Sequence, residues 1–314
     1  MTALRIMLTG ASGQIGGELR TRFLAMGDAV ELFAPNRTQL DIAHARRLRD
    51  AIRDFRPALI INAAAWTAVA AAEEAPAAAR AANAEAPAVM AEEARRSGIA
   101  LIHYSTDYVF DGRASKPYTE NSDPHPLNVY GATKRDGELA IEASGAAHWI
   151  FRTSWVYSLH GNNFMKTVIR LLQRQDRLSI VDDQIGAPTG AATIADICCG
   201  LLDSGGPDRI GATSGLYHLS AAGATSWHGY AVLIATELHR LGVPMKISSP
   251  ADIVAVPSSA FPPPPARPLN SRLCCDKLSD TLQVTLAPWE KDVLCCLNDM
   301  VRRHDLAGGG HLPE

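Results

Sequence analysis

Short apolar runs alternate along the chain with longer segments in which apolar residues recur every three or four positions. The runs "RIMLTG", "AVELFAP", "ALIINAAA", "ALIHYSTDYVF" and "HWIFRTSWVY" predict β-strands, and the segments between them, including an alanine-rich one from about 76 to 97, predict helices. Strands that alternate with such helices form parallel β-α-β units with both sheet faces covered. The pattern therefore predicts an α/β fold with a doubly wound, Rossmann-like parallel sheet.

The second half of the chain is less regular and predicts a smaller, mostly C-terminal substrate domain. We assign residues 1–157 and parts of 164–220 to a cofactor-binding domain, and about 221–314 with interleaved segments to substrate binding. The run "FPPPPARP" predicts an extended connector, because proline lacks an amide hydrogen and fixes its own φ. The last segment, "AGGGHLPE", has the composition of a tail.

The composition is that of an ordinary globular protein. The chain has 314 residues, 47% hydrophobic and 20% charged, and a formal net charge of −3. That charge gives no reason to expect binding to nucleic acid or an anionic membrane, and no apolar run approaches the roughly 20 residues of a membrane span. The first residues enter a strand pattern without the features of a signal peptide, which favours a cytoplasmic protein.

Six cysteines occur as three adjacent pairs, at 198–199, 274–275 and 295–296. Neighbouring cysteines rarely bridge each other, and no CxxC spacing suggests zinc. We therefore expect small buried thiols in a reducing compartment.

The stretch "TGASGQIG", residues 9–16, follows the first predicted strand and begins the first helix. Its first glycine permits a tight turn, its second lets a pyrophosphate approach the backbone, and its third allows close packing of helix on strand. A glycine triplet also occurs in ordinary tight turns, but the strand–turn–helix context favours a dinucleotide site at the helix N-terminus. The predicted contacts are Gly10, Ser12, Gly13, Gln14, Ile15 and Gly16.

The residues after the second strand bear on the choice of cofactor. An acid there usually binds the adenosine ribose of NAD, whereas this chain has Asn36 and Arg37. A guanidinium can pair with a 2′-phosphate, which favours NADPH with NADH as the alternative; Arg37 is equally explained as a solvated surface charge. Asp41 and Ile42 are placed to meet the adenine. The stretch "NAAA" adds Ala63, Ala64 and Ala65.

The stretch "NVYGATKRDGE" places Tyr130 one helical turn before Lys134. A free tyrosine has a pKa of about 10, and a lysine on the same helix face is expected to lower it. Lys134 can also bind the nicotinamide ribose, and Thr106 at the end of "ALIHYST" can hold a carbonyl oxygen beside the phenol. The three residues predict reduction of a carbonyl with Tyr130 as proton donor. The alternative is a surface tyrosine and lysine on an ordinary helix.

Together these motifs resemble the extended short-chain dehydrogenase/reductases. More narrowly, "STDYVFDG", "NVYGATK", "RTSWVY", "VDDQIGAPTG" and "RPLNSRL" are similar to members that reduce 4-keto-6-deoxy sugars. The resemblance implies a dTDP-sugar substrate and allows a homodimer. Core packing is a rival explanation for Trp155, and Arg267 is also explained as an exposed side chain beside the proline run. The substrate contacts that it implies are Thr106, Asp107, Tyr108, Tyr130, Trp155, Asn163 and Arg267.

The chain departs from the family pattern at three places, of which one is the loosely patterned region after residue 203. Ala70 and Ala71 replace an Asp–Lys pair after "NAAA", which makes that part of the cleft wall less polar. Some members dimerise around a magnesium ion held by glutamates; Glu18 matches one of these ligands, but Ala192 stands where another would be. A hard cation needs several oxygen ligands, so we predict no metal site.

Two other functions are compatible with the same motifs. An epimerase or dehydratase of nucleotide-linked sugars has this fold, but a dehydratase needs an acid pair beside the threonine, and Asp107 is not followed by a glutamate. A non-catalytic regulatory subunit that binds NAD(P) would not require Thr106, Tyr130 and Lys134 together.

Overall fold

A computed structural model describes residues 3–261 and 266–303. The proline run at 262–265 and the tail from residue 304 lie outside the described residues. The strands are β1 (Leu4–Thr9), β2 (Val30–Phe33), β3 (Leu59–Asn62), β4 (Ala100–Thr106), β5 (His148–Thr153), β6 (Val156–Tyr157), β7 (Leu178–Val181), β8 (Ile185–Gly186), β9 (Thr189–Gly190), β10 (Gly215–His218), β11 (Thr225–Ser226) and β12 (Ile253–Val256).

The helices lie between these strands and in the C-terminal part of the chain. They are α1 (Gln14–Ala25), α2 (Ala45–Phe55), α3 (Val69–Glu74), α4 (Pro76–Arg80), α5 (Ala86–Ser97), α6 (Val129–Ser144), α7 (Phe164–Arg174), α8 (Ala191–Asp203), α9 (Gly206–Ala212), α10 (Trp227–Arg240), α11 (Asp276–Leu282) and α12 (Trp289–Arg302). A π-helical turn, Ala81–Glu85, joins α4 to α5. The alanine-rich segment is therefore helical from Pro76 to Ser97, as predicted.

Six strands form one parallel sheet in the order β2-β1-β3-β4-β5-β10. Successive apolar side chains of the inner strands alternate between two buried clusters, as strand geometry requires. Ile6 and Ile102 pack towards α1 and α8, whereas Met7 and Leu101 pack towards α2 and α5. Helices thus cover both faces, and the predicted doubly wound fold is confirmed.

A third apolar cluster lies in the second half of the chain. Helices α7, α10 and α12 pack around Tyr230, Trp289 and the short strands β7 and β12. Between α9 and α10 the chain returns to the large sheet, because β10 pairs with β5. The division into a cofactor domain and a substrate domain stays a prediction.

A buried ion pair joins helix α6 to the sheet, and two close backbone approaches hold it against neighbouring segments. Glu138 receives two hydrogen bonds from Arg152 of β5, at 2.8 and 2.7 Å, and both side chains are almost fully buried. A Cβ on Gly131 would lie 2.1 Å from the carbonyl oxygen of Tyr108, and one on Gly137 would lie 2.2 Å from that of Asn83. Glycine at these positions lets α6 approach its neighbours closely.

The cysteines follow the sequence expectation only in part. Cys198 and Cys199 are buried on α8, but Cys295 is exposed on α12, so the expected burial is wrong there. A helix of fourteen residues has room for a cysteine on its outer face, which adjacency in sequence does not reveal. In the described ranges, no helix is long and apolar enough to cross a lipid bilayer.

Candidate active site

A cleft of about 910 Å³ lies at the carboxyl edge of the large sheet, where β1, β3, β4 and β5 end. This edge is where ligands bind in open α/β sheets. Seventeen of the residues named from the sequence line it: Gly10, Ser12, Gly13, Gln14, Ile15, Arg37, Asp41, Ile42, Ala63, Ala64, Ala65, Thr106, Asp107, Tyr108, Tyr130, Lys134 and Trp155.

The glycine turn at one end of the cleft is shaped by backbone contacts. Gly10 has a φ of 75°, and a Cβ there would lie 2.5 Å from the carbonyl carbon of Ala63. A Cβ on Gly16 would lie 2.1 Å from the carbonyl oxygen of Gly10, so Gly16 serves helix packing behind the cleft. Gly13 is the N-cap of α1 and provides no side-chain cap. The first backbone amides of α1 are therefore available to a pyrophosphate, and the turn fits a dinucleotide.

At the same end of the cleft as the glycine turn, the loop after β2 carries a charged side chain, that of Arg37. Asn36 accepts hydrogen bonds from the amides of Thr38 and Gln39, at 3.0 Å each, which fixes the loop after β2. Arg37 follows it with a side chain that is 78% exposed and an Nε 3.7 Å from Oδ2 of Asp41. Such a weak, exposed ion pair costs little to break, so Arg37 can turn towards a phosphate.

Thr106 and Tyr130 meet at the opposite end of the cleft. Thr106 ends β4, and its Oγ1 accepts from the amide of Tyr108 at 3.2 Å. Asn128 caps α6 by accepting from the amide of Gly131 at 2.8 Å, which places Tyr130 in the first turn of the helix. The side chain of Thr106 is close enough to the hydroxyl of Tyr130 to oppose the rise of its pKa. A carbonyl oxygen can therefore meet both hydroxyls at once.

The protonation of Tyr130 differs from the sequence expectation. Burial raises its pKa above the ordinary value; the hydrogen bond with Thr106 opposes this rise, and the neighbouring Asp107 and Tyr108 add to it. Lys134 does not lower it, because its Nζ donates to the carbonyl of Tyr104 at 2.6 Å, inside the protein. The expected lowering is thus wrong for this geometry, and Tyr130 is a phenol at neutral pH.

Burial also changes the acid–base behaviour of Lys134. The side chain is 1% exposed, and this burial lowers its pKa to about 8, against the opposing influence of Glu138. Its Nζ also lies 3.1 Å from Nε2 of His103. Lys134 therefore exchanges its proton near neutral pH, unlike a surface lysine.

An acidic and an aromatic residue complete this end of the cleft. Burial raises the pKa of Asp107 to about 6, although hydrogen bonds with Ser271 and Thr106 oppose the rise. The Tyr108 ring meets that of Tyr130 edge-on, with centroids 5.5 Å apart. Burial raises the pKa of Tyr108 to about 12, and Arg267 opposes this rise. Arg267 is thus electrostatically close to the site, although it does not line the cleft.

Trp155 both lines the cleft and packs on a second tryptophan. Its backbone has a φ of 48°, which is uncommon for a bulky residue. Its ring stacks on Trp227 with centroids 3.5 Å apart and planes at 9°, and a Cβ on Gly186 would lie 2.5 Å from it. Trp155 therefore lies in the cleft wall and also packs against a second tryptophan, while its contact with a substrate stays a prediction. Sequence reasoning missed Trp227, whose signal was an aromatic at the start of the helical pattern "WHGYAVLIATELHR".

Asn163 is placed beside the cleft rather than in its wall. It caps α7 by accepting from the amide of Lys166 at 3.1 Å, and its Nδ2 donates to Oε1 of Gln14 at 3.1 Å. It thus supports a residue of the glycine turn. Sequence reasoning also missed other residues of the cleft wall, among them Thr67, Ala68, Val69, Ala78, Ala82, Ser154, Val156 and Asn162.

The region of the doubtful magnesium site is a second hollow of about 420 Å³, lined by Glu18 and Ala192. Oε2 of Glu18 lies 2.8 Å from Nη1 of Arg22, whose Nε lies 2.6 Å from Oδ1 of Asp196. Among the residues that the structure describes, no group of three or more His, Cys, Asp or Glu side chains could hold a metal ion.

Comparison with known proteins agrees with this geometry. A family model described as "RmlD substrate binding domain" matches residues 4–302. The dTDP-4-dehydrorhamnose reductases of Burkholderia thailandensis and Escherichia coli K12 are each 40% identical over 95% of this chain and over 99% and 98% of their own lengths. The crystal structure of the Bacillus anthracis dTDP-4-dehydrorhamnose reductase in complex with NADP has a TM-score of 0.84 at 30% identity, covering 95% of this chain and 99% of that chain. The chain therefore belongs to the family of dTDP-4-dehydrorhamnose reductases.

Proposed function

We propose that this protein reduces the 4-keto group of dTDP-4-dehydro-L-rhamnose to the hydroxyl of dTDP-L-rhamnose, with a hydride from NADPH or NADH. Relatives that are 40% identical over almost their full length carry the name of this activity. The observation that carries the proposal is a single cleft that joins the glycine turn at one end to Thr106, Tyr130 and Lys134 at the other. The reaction is a step of nucleotide-sugar synthesis for cell-envelope polysaccharides.

The glycine turn and the alanines after β3 would hold the cofactor. The amides of α1 face the pyrophosphate, and Arg37 is available to a 2′-phosphate, which favours NADPH. Lys134 has a remaining N–H to give to the nicotinamide ribose. When bound, the reduced nicotinamide supplies the hydride.

The residues around the carbonyl supply the proton and hold the oxygen. Thr106 donates a hydrogen bond to the carbonyl oxygen, beside the hydroxyl of Tyr130. As the carbon gains a hydride, the oxygen becomes an alkoxide, which is a stronger base than a phenolate. Tyr130 then gives its proton to this oxygen even with a raised pKa. Hydride and proton together turn the C=O group into CH–OH.

The remaining cleft residues would bind the sugar nucleotide. The rings of Tyr108 and Trp155 offer faces to the sugar C–H groups. Arg267 is exposed and electrostatically close to Tyr108, so its planar fork can meet the diphosphate. The proposal includes a cytoplasmic location, and a homodimer is the assembly to be tested.

The test is the oxidation of NADPH, followed by absorbance, with and without dTDP-4-dehydrorhamnose. We expect consumption that depends on the substrate, with one dTDP-rhamnose formed per NADPH. An epimerase or dehydratase would convert sugar without net consumption of NADPH, and a regulatory subunit would bind the cofactor without turnover. Either result would overturn the proposal.

A further inference from the structure

Four buried polar side chains form a continuous chain from the end of β1 to Lys134. Thr9, Asn62 and His103 are register partners on the neighbouring strands β1, β3 and β4. Oγ1 of Thr9 lies 2.7 Å from Oδ1 of Asn62, Nδ2 of Asn62 lies 3.0 Å from Nδ1 of His103, and Nε2 of His103 lies 3.1 Å from Nζ of Lys134. None of the four is more than 1% exposed. The chain directly links the residue before the glycine turn to the lysine of the cleft.

The direction of these hydrogen bonds follows from a backbone amide. The N–H of Ala64 can only donate, and it lies 3.2 Å from Oδ1 of Asn62. The oxygen of this side chain is therefore on the side of Ala64 and Thr9, and its NH₂ group faces His103. Nδ1 of His103 must then accept, so a neutral ring carries its proton on Nε2.

The histidine ring is neutral in this environment. Burial, followed by the charge of Lys134 and that of His148, lowers its pKa well below the ordinary value. The Nε2–H group therefore points at Nζ of Lys134 as a donor. An ammonium group has only donors and would oppose it, whereas an amine has a lone pair that accepts it. The amine can still donate one N–H to the carbonyl of Tyr104, at 2.6 Å.

Other titratable and charged groups around Lys134 do not supply this hydrogen bond. Glu138 favours the ammonium from one turn along α6, but its carboxylate is held by Arg152 at 2.7 Å and Arg135 at 2.9 Å. Tyr130, one turn the other way, remains a phenol. His103 is thus the group whose donor acts directly on Nζ.

We propose that His103 is a positioning residue for Lys134: its Nε2–H donates to the lysine, holds Nζ at the carbonyl of Tyr104 and favours the uncharged amine. The inference rests on the proposed function, in which Lys134 binds the cofactor ribose. Lys134 lines the same cleft as Tyr130, and its ammonium is one group that can return a proton after the phenol of Tyr130 has lost its own. His103 therefore shifts the pH at which this return fails.

The first test reads the tautomer of His103 and needs no turnover. In ¹⁵N spectra of histidine-labelled wild-type protein, recorded above the pKa of Lys134, about 8, we expect the His103 ring to be neutral with its proton on Nε2. His103→Gln identifies the signal by its loss, and contacts with the lysine ε-protons identify it if that variant does not fold. A proton on Nδ1, or a charged ring, would overturn the proposal.

The second test is the pH dependence of kcat with saturating NADPH and dTDP-4-dehydrorhamnose. In the wild type we expect kcat to fall as the pH rises through the pKa of Lys134, about 8, because the ammonium is lost. In His103→Gln the amide oxygen can accept from an ammonium, so this fall should move upward by about one pH unit or more.

His218→Gln is a matched control, since His218 is also fully buried at the end of a strand of the same sheet, on β10. In His218→Gln, kcat should fall over the same pH range as in the wild type. The same displacement in both variants, or none in His103→Gln, would contradict the proposal. If the wild type consumes no NADPH, the proposed function fails, while the tautomer test still decides the role of His103.

Discussion

Tyr130 is the residue whose chemistry the geometry defines most sharply. Tyr130→Phe removes the proton donor and leaves the ring that packs against Tyr108 at 5.5 Å. We expect kcat to fall about 10²–10⁴-fold, with NADPH binding nearly unchanged, as measured by turnover and by cofactor fluorescence titration. A variant that keeps most of its kcat would show that another group donates the proton.

Arg37 tests the choice between the two cofactors. Its side chain is 78% exposed and holds Asp41 only at 3.7 Å, so Arg37→Ala should not disturb the fold. One charge-assisted hydrogen bond contributes about 1.5–3 kcal/mol, so KM for NADPH should rise about ten-fold or more while that for NADH stays constant. Arg46→Ala, an even more exposed arginine, is the control. Equal losses for both cofactors would make Arg37 a bystander.

For single residues, the sequence predicts which side chains meet, but not where their polar atoms point. The spacing of Tyr130 and Lys134 places both on one face of a helix, and both line the cleft. Which partner Nζ selects depends on Tyr104 and His103, which belong to another element. The predicted lowering of the Tyr130 pKa failed for that reason: burial of a phenol is a property of the whole site.

Helix α6 carries both Tyr130 and Lys134, so its position decides the geometry of the reaction. Gly131→Ala would put a methyl group 2.1 Å from the carbonyl oxygen of Tyr108, and the helix start must then move away from Thr106. Overpacking of this kind costs about 1–3 kcal/mol, and a small misplacement can cost about 10²-fold in rate. We expect a lower midpoint of thermal unfolding and a reduced kcat.

Gly200→Ala is the matched control for this prediction. Gly200 is also helical, in α8, but a Cβ there meets no atom within 4 Å apart from its chain neighbours and the backbone of its own helix. Alanine is favoured over glycine inside a helix by about 0.5–1 kcal/mol, so this variant should be slightly more stable and fully active. If Gly131→Ala behaved like Gly200→Ala, the close approach of α6 would have no role in the site.

The elements of the sheet were predictable because their patterns are local. Each long strand is an apolar run, and the alanine-rich helix runs to Ser97 before Gly98 ends it with a φ of 65°. Strands of two residues, such as β6 and β9, have no pattern of their own and exist because they pair across a large sequence separation. The stack of Trp155 on Trp227 is equally non-local.

On the scale of the whole molecule, the carboxyl edge of the sheet brings distant segments into one site. The glycine turn after β1, Thr106 at the end of β4 and Tyr130 on α6 lie far apart in sequence and line the same cleft. Parallel strands make this possible, since all their carboxyl ends lie at one edge. The six-strand order was not predictable residue by residue, because β10 joins the sheet only after α7, α8 and α9.

The last prediction concerns metal ions and the association of two subunits. Mg²⁺ takes about six oxygen ligands in near-octahedral order and gives up water reluctantly. In the second hollow, Glu18 is already paired with Arg22 at 2.8 Å, and Ala192 offers a methyl group where a carboxylate would be needed. A symmetric interface that lacks one carboxylate per subunit lacks two ligands at once.

We therefore expect EDTA to change neither the elution volume in size-exclusion chromatography nor the rate of NADPH oxidation. Proton donation by Tyr130 needs no metal-bound group, so a metal at this hollow could act only on assembly. Ala192→Glu is the complementary variant: it restores a carboxylate beside Glu18 and should make any dimer sensitive to chelation. Dissociation or lost turnover of the wild type in EDTA would instead mean that other carboxylates, such as the exposed Glu290 of α12, complete a metal site between two copies.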